Sequence, residues 1–455
     1  MSQKTLILGL GKSGQAAARH ALHDGDELTI YAGAKNAANE SAAAPFVADG
    51  VRVVFDSENV EGAYDVCVVS PGIPQTGEFY KSAAAAVGQI ISEPEYAWRI
   101  SPSDWVAVTG TNGKTTTTSL VTHLLNVGGK NAVACGNIGD TTLSAVEARV
   151  ESQVLVAEMS SFQLASTVDF APRVAVLLNI TPDHIAWHGS FVEYALAKFK
   201  VFENMEEGSV AVITREIEAS YPEQVAKLEQ RGIVVMRACE TSDANCAYAD
   251  ENGMLCIVDA DGVKHELIAA SELNIKGSHN LENALSAAAA CFALGCDSAD
   301  IAKGLTSFMP LEHRIEPCGT VGDVDFFNDS KATNVDATLK ALTAFSERTI
   351  VLLLGGRDKG TDLRELVGAC TGVVSAVVAY GEAGQRFFDA FEPSSINVYR
   401  EDGMRAAFER ACEIARPGQA IVLSPACASF DEFDSFEQRG EVFKKYVNEF
   451  AATQG

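Results

Sequence analysis

The chain lacks any run approaching the ~18 uncharged apolar residues that a bilayer-spanning helix needs, so no membrane insertion is expected. It also lacks a Cys-x-x-Cys pair. Its 11 cysteines are scattered and odd in number, which argues against a disulfide framework or a zinc knuckle. They fit small buried side chains in a reducing cytoplasm. No cleavable leader is expected, because Thr5-Leu-Ile-Leu-Gly-Leu-Gly11 is short and ends in glycines. Positive charge is scarce: 35 Lys and Arg face 61 Asp and Glu, a formal net charge of −26. Such a charge repels phosphate backbones and acidic membrane surfaces, which argues against nucleic acid as a partner. Pro/Ser-rich linkers, long charge runs and internal repeats are missing too. What is there suits a folded protein: 47% of residues are apolar and 21% charged, so wholesale disorder is excluded.

The 455 residues exceed one ordinary core, and at about 150 per domain they predict three domains. In the first block, Thr5–Leu8, Leu28–Tyr31, Val51–Phe55 and Val66–Val69 read as strands. Gly14–His23 and Lys81–Gly88 read as helices between them. In the second, the strands expected are Trp105–Val108, Ala132–Ala134, Val154–Ala157, Val174–Leu178 and Val210–Ile213. Turn signals at Asn252-Gly253 and Asp261-Gly262 predict a small antiparallel ribbon, followed by a helix over Asn280–Leu294. In the third, Thr349–Leu354, Val373–Ala379 and Ala420–Leu423 look like buried strands. Strand–helix alternation throughout predicts an α/β fold of parallel sheets. Boundaries are expected at 1–93, 94–309 and 310–455.

The polar strings sit at strand ends. Gly9-Leu-Gly11-Lys12-Ser13-Gly14 lies between a strand and a helix. Its glycines permit close backbone approach, and the helix N-terminus offers N–H groups to a diphosphate. Three readings stay open: a dinucleotide, another diphosphate-bearing nucleotide, or a structural turn. The second strand ends in Ala32-Gly33-Ala34, without the acid that holds a dinucleotide ribose. Gly110-Thr111-Asn112-Gly113-Lys114-Thr115-Thr116 is a shortened phosphate loop. Its N–H groups and Lys114 suit a nucleoside triphosphate, and a Thr hydroxyl suits Mg²⁺. Glu158 ends a strand near that loop and reads as a metal ligand or as a solvated acid. His184 lies just past another strand end, where a lone histidine is more often a surface residue. By pattern Lys198 is an ordinary helix lysine, and Cys427 is small packing. Arg314 could clamp phosphate. Asn328-Asp329-Ser330-Lys331-Ala332-Thr333-Asn334 concentrates more polar chemistry than a solubilising turn needs.

In order, the chain carries GTNGKTT, GNIG, EMSSFQL, NITPDH, GSHNLENA, LEHR, NDSKATN, LLLGG and SPACASFDEFDSFEQRG. This ordered set resembles the Mur ligase family over essentially the whole length. The resemblance implies three α/β domains. The N-terminal domain is Rossmann-like and binds a UDP sugar. The central one is a P-loop ATPase-type parallel sheet with an antiparallel ribbon. The C-terminal one is Rossmann-like and binds an amino acid. It implies a cytoplasmic ligase, expected to be monomeric, that uses ATP and two Mg²⁺ ions. The implied partners are UDP-N-acetylmuramoyl-L-alanine and D-glutamate, joined through an acyl phosphate in peptidoglycan precursor synthesis.

The resemblance also implies roles for particular residues. Gly110 to Thr116 cradle ATP, with Lys114 on its phosphates. Thr115 and Glu158 resemble ligands of one Mg²⁺. His184 and a carbamylated Lys198 resemble supports of the second. Asn280, Asn283, Arg314, Asp329 and Lys331 resemble nucleotide contacts. Lys12, Ser13 and the turn Ser70-Pro71-Gly72 suit the diphosphate and sugar. Asn137 and Gln163 resemble contacts to the muramoyl substrate. Thr333, Lys359, Ser429, Phe430 and Phe436 resemble the amino-acid pocket. Ala32-Gly33-Ala34 departs from other members, which carry an acid and further polar residues near the uracil. An NAD-dependent oxidoreductase is disfavoured by the missing ribose acid and the second phosphate loop.

Overall fold

Short aliphatic runs buried on both faces become parallel strands, and the Ala-rich stretches between them become covering helices. The computed structural model describes residues 2–239, 243–345, 348–358 and 360–454. Three sheets result. The first contains β1 (Lys4–Leu8), β2 (Glu27–Gly33), β3 (Arg52–Phe55), β4 (Tyr64–Val69) and β5 (Val87–Ser92). All its pairs are parallel, in the order β3-β2-β1-β4-β5. The order reverses at β1, which opens a crevice beyond the C-terminal ends of β1 and β4.

The second sheet contains nine strands: β6 (Trp105–Thr109), β7 (Ala132–Gly136), β8 (Val154–Glu158), β9 (Val174–Leu177), β10 (Val210–Thr214), β11 (Val234–Cys239), β12 (Cys246–Ala249), β13 (Met254–Val258) and β14 (Lys264–Ala269). Their order is β14-β13-β12-β11-β10-β9-β6-β8-β7. The expected ribbon is β12–β14, antiparallel, with Gly253 and Gly262 at positive φ in its turns. It is continuous with the main sheet, because β12 pairs with β11. The third sheet contains β15 (Glu316–Val321), β16 (Val324–Asn328), β17 (Ile350–Gly355), β18 (Val374–Tyr380), β19 (Asn397–Arg400) and β20 (Ala420–Leu423). Its order is β15-β16-β20-β17-β18-β19, and only β15 is antiparallel to its neighbour.

The fold departs from local pattern at recognisable places. The helix expected over Lys81–Gly88 ends at Ala86, and Val87 already starts β5. The run Val87-Gly-Gln-Ile-Ile-Ser92 suits a strand better than a last helical turn. The helix Ala37–Ala48 has no counterpart among the expected elements; Asn36 caps it by accepting from the Asn39 N–H. β11 and β19 are hidden in the sequence because each carries an arginine in a short run. Nine described cysteines are free thiols, but Cys246 is disulfide-bonded, a pairing that no Cys-x-x-Cys spacing announces.

Two compact units form: residues 1–273 with 282–307, and residues 274–281 with 308–455. The first two sheets share the first unit. Helix Glu93–Ile100 joins them through two buried carboxylates. Glu95 accepts from the Val168, Asp169 and Phe170 N–H groups and pairs with Arg99 at 2.7 Å. Glu93 accepts from the Leu143 N–H at 2.5 Å, while its second oxygen is buried without a hydrogen-bond partner among the described residues. Burial pushes the Glu93 carboxyl up to about 7, against the opposing pull of the Leu143 N–H and of Lys12.

This makes a stability prediction. The folded protein holds the Glu93 proton better than the unfolded chain does. Stability therefore falls as pH rises from about 4.5 to about 7, by up to about 3 kcal/mol for this group. Glu93→Gln keeps an acceptor for Leu143 but cannot ionise. Denaturant titrations at pH 5 and pH 8 should show the wild type losing ground to the variant at the higher pH. A constant difference would show that Glu93 stays ionised.

Candidate active site

In the first unit, β6, β8 and β9 are adjacent and parallel, so their C-terminal ends converge. β6 delivers the loop Gly110 to Gly113, whose two glycines have positive φ. A Cβ at Gly113 would come within 2.4 Å of the Asn283 side chain, so this glycine brings the loop against the buried Asn283. β9 delivers Asn179, whose side chain accepts from the Asn112 N–H at 2.8 Å and donates to the Asn112 carbonyl. Thr111 Oγ1 lies 2.8 Å from the Tyr194 hydroxyl. The helix Lys114–Val127 then starts with Lys114 half-buried and Thr116 buried. Lys114 Nζ donates to the Gly110 and Thr111 carbonyls at 2.9 and 2.8 Å.

β8 ends in Glu158, only 1% exposed. One oxygen accepts from Asn137 Nδ2 at 2.7 Å, and the other is buried without a partner among the described residues. A fully desolvated carboxylate oxygen with nothing to bind is costly, and a cation would satisfy it. Gln163 is buried too. Its Oε1 accepts from the Ser160 N–H and hydroxyl in a capping box that opens the helix Ser161–Ala165.

His184 sits in the left-handed region at φ 53°, beside Asp183. Helix Phe191–Phe199 carries Lys198, which sequence pattern alone makes a solvated lysine. The residue is 1% exposed, donates to the Gly110 carbonyl at 2.7 Å and holds its ammonium 4.8 Å from the Tyr194 ring centroid. Burial, with Lys114 nearby, holds its pKa far below that of an ordinary lysine despite Asp183 and Glu158. His188, also buried, is pushed down to about 4 by burial and by its neighbours His184 and Lys198.

A cavity of 540 Å³ opens at the crevice of the first sheet, lined in part by Lys12, Ser13, Ser70, Pro71 and Gly72. Gly9 has φ 84°, and a Cβ at Gly14 would come within 2.0 Å of the Gly9 carbonyl. The glycine spacing thus folds a tight strand-to-helix turn. Ser70 bonds the Gly9 carbonyl at 3.0 Å, and Lys12 bonds the Gly139 carbonyl. Ala32 and Gly33 complete one wall with no side-chain charge.

The second unit gathers the remaining candidates around β16 and β20. Asp329 is buried, accepts from Ser424 Oγ at 2.7 Å, and is pushed up to about 7 by burial. Lys331 Nζ lies 3.7 Å above the Phe436 ring centroid. Thr333 belongs to the same turn, its N–H bonded to the Lys331 carbonyl. Ser429 is buried, whereas Phe430 is 62% exposed. Asn280 Nδ2 donates to the Lys276 carbonyl, just ahead of its own helix Ser278–Ala293, and the Arg314 N–H closes a turn on the Leu311 carbonyl. Lys359 lies outside the described residues.

Two organising residues escape a reading of the sequence. Tyr194 looks like a helix aromatic, though its spacing of four from Lys198 puts both on one helix face. Arg439 is fully buried and donates to Ser330 Oγ, the Ser330 carbonyl and the Cys427 carbonyl, tying two site loops together. Its place in the FEQRG string is the only signal.

Comparison with known proteins agrees with this geometry. Residues 108–291 match the Mur ligase middle domain, and residues 313–427 match the Mur ligase glutamate ligase domain. The UDP-N-acetylmuramoylalanine–D-glutamate ligase of Pelotomaculum thermopropionicum is 37% identical, covering 98% of this chain and 97% of its own. The enzyme of that name from Koribacter versatilis is 35% identical over 99% of this chain and 98% of its own. Among solved structures, MurF from Acinetobacter baumannii shares the fold with a TM-score of 0.62 at 18% identity, covering 96% of this chain and 93% of that one. MurF from Thermotoga maritima, solved with ADP, has a TM-score of 0.61 at 16% identity, over 99% and 96% of the two chains.

Proposed function

The chain belongs to the Mur ligase family, and on that premise we propose that it joins D-glutamate to UDP-N-acetylmuramoyl-L-alanine at the expense of ATP. The observation that carries this reading furthest is the pairing at one phosphate loop of buried Glu158, with an unpartnered oxygen, and buried Lys198. In this reading residues 1–93 hold the UDP sugar, 94–309 the ATP and 310–455 the amino acid.

The substrate's L-alanyl carboxylate is a poor electrophile, so it is first phosphorylated. The amine of D-glutamate then attacks the acyl phosphate, and phosphate leaves. The protein's task is alignment and charge neutralisation. The N–H groups of the loop Gly110 to Thr116 and the Lys114 ammonium hold the ATP phosphates. Asn283 belongs to that site, and Asn280, Arg314, Asp329 and Lys331 are assigned to the nucleotide as well. The 540 Å³ cavity, with Lys12, Ser13 and the Ser70 turn, takes the diphosphate and sugar. Asn137 and Gln163 orient the muramoyl end. Thr333, Lys359, Ser429, Phe430 and Phe436 form the amino-acid pocket.

Thr115 and Glu158 fit one Mg²⁺, and the orphan Glu158 oxygen is the donor such an ion needs. His184 and Lys198 fit a second. The desolvated Lys198 amine has the lone pair to attack CO₂; an N–C bond forms, one proton leaves, and the side chain becomes an anionic carbamate. Bound Mg²⁺ would neutralise negative charge on the phosphate oxygens and the carboxylate.

An amino-acid panel tests the reading. Phosphate release should require both UDP-N-acetylmuramoyl-L-alanine and D-glutamate. Equal turnover with L-glutamate or L-alanine would remove the assigned specificity.

A further inference from the structure

We propose that His188 is a positioning residue: it locks the Glu158 segment to the segment carrying His184 and Lys198 through the hydroxyl of Ser161. The inference rests on the ligase reading above for what those segments do, and on geometry for the lock itself.

The helix Ile185–His188 is a single turn, with left-handed residues at both ends, His184 and Gly189. So short a helix has little stability of its own and depends on its side-chain contacts. His188 supplies them. Its Nε2 shares a 3.0 Å hydrogen bond with Ser161 Oγ, and both side chains are buried. Ser161 is three residues beyond Glu158 and opens the next helix. The imidazole stacks on Phe162 at 5.7 Å and 20°, and packs its edge against Tyr194 at 5.3 Å. Tyr194 in turn reaches Thr111 of the phosphate loop through its hydroxyl and underlies Lys198 with its ring. Phe162 also meets the His184 ring at 4.6 Å. One side chain therefore joins the helix that opens after Glu158, the turn that begins at His184 and the ring four residues before Lys198. The ring contacts are sequence-tolerant packing. The Ser161 bond is directional and sets the spacing between β8 and the His184 turn.

A double-mutant cycle separates a lock from mere packing. His188→Phe keeps an aromatic ring and loses the bond. Ser161→Ala keeps the ring in place and loses the same bond. Each should lower kcat by about ten- to a hundredfold with little change in KM for ATP, because misplacement of reacting groups is felt in the chemical step. The double variant should be no worse than either single one. His188→Gln, whose amide reaches the Nε2 position, should recover part of the loss. Half-saturating Mn²⁺ in the presence of ADP, read by electron paramagnetic resonance, should rise in both single variants at an unchanged melting midpoint. Ser161→Ala carries the test if His188→Phe does not fold. Losses that multiply in the double variant would overturn the proposal. Wild-type kcat and Mn²⁺ binding in Ser161→Ala would do so as well. A wild-type protein that binds Mn²⁺ and ADP but joins no substrates would instead count against the ligase reading, and the Mn²⁺ measurement would still judge His188.

Discussion

Lys198→Ala should lose at least about a thousandfold in turnover, equivalent to about 4 kcal/mol of transition-state stabilisation. The side chain is almost fully buried and bonded to the Gly110 carbonyl. A lysine there contributes no surface charge, and its desolvated ammonium is disfavoured. On the proposed ligase reading, its value lies in what the neutral amine can become. As a carbamate it would bring negative charge between Tyr194 and the loop Gly110 to Gly113, where that reading places a metal-supporting group. Alanine removes that group and leaves a space that small anions can enter. Acetate or propionate should therefore restore part of the activity, and neutral amides of the same size should not. Melting should also fall, because the variant removes a buried four-carbon stem with the amine, so the rescue is read below the variant's melting midpoint. Wild-type turnover in Lys198→Ala would remove the carbamate from the mechanism. Loss of activity without any rescue by carboxylates would leave the lysine needed for another reason.

Glu158→Gln should cost about two to three orders of magnitude in kcat and raise the Mg²⁺ concentration needed for half-maximal activity. The substitution is nearly isosteric, and its carbonyl oxygen can still accept from Asn137 Nδ2. What it removes is charge on the oxygen that has no protein partner. A neutral amide cannot hold a divalent cation in competition with water as a carboxylate does. The loss should therefore shrink as Mg²⁺ is raised. A titration of kcat against Mg²⁺ reads this directly. A variant with unchanged Mg²⁺ dependence would show that Glu158 orients Asn137 rather than binding metal.

The legible parts of this molecule are those whose cause is local. Asn252-Gly253 and Asp261-Gly262 need positive φ at their glycines, so the ribbon β12–β14 can be read from four residues. The glycines at 9 and 14, and at 110 and 113, are spaced for tight turns before helices, and the structure uses them so, whereas Gly11 has ordinary extended backbone and open space at its Cβ position. Glu158 can be placed because it ends an apolar run. The illegible parts arise where distant segments meet. His188 looks like any histidine until Ser161, 27 residues away, comes against it. Arg439 becomes a buried brace only when Ser330, 109 residues earlier in the chain, folds onto it.

Local sequence dictates the strand–turn–helix units, the glycine turns ahead of the helices and the placing of polar strings at strand ends. Those depend on side-chain volume, glycine freedom and hydrogen bonds that span a few residues. Which of those polar groups are pushed toward their neutral forms depends on tertiary packing. Lys198, Glu93 and Asp329 are ordinary ionisable side chains in the sequence, and each has its pKa shifted toward the neutral form for one shared reason. Packing removes the water that would have solvated the charged form, and packing is made by residues far along the chain.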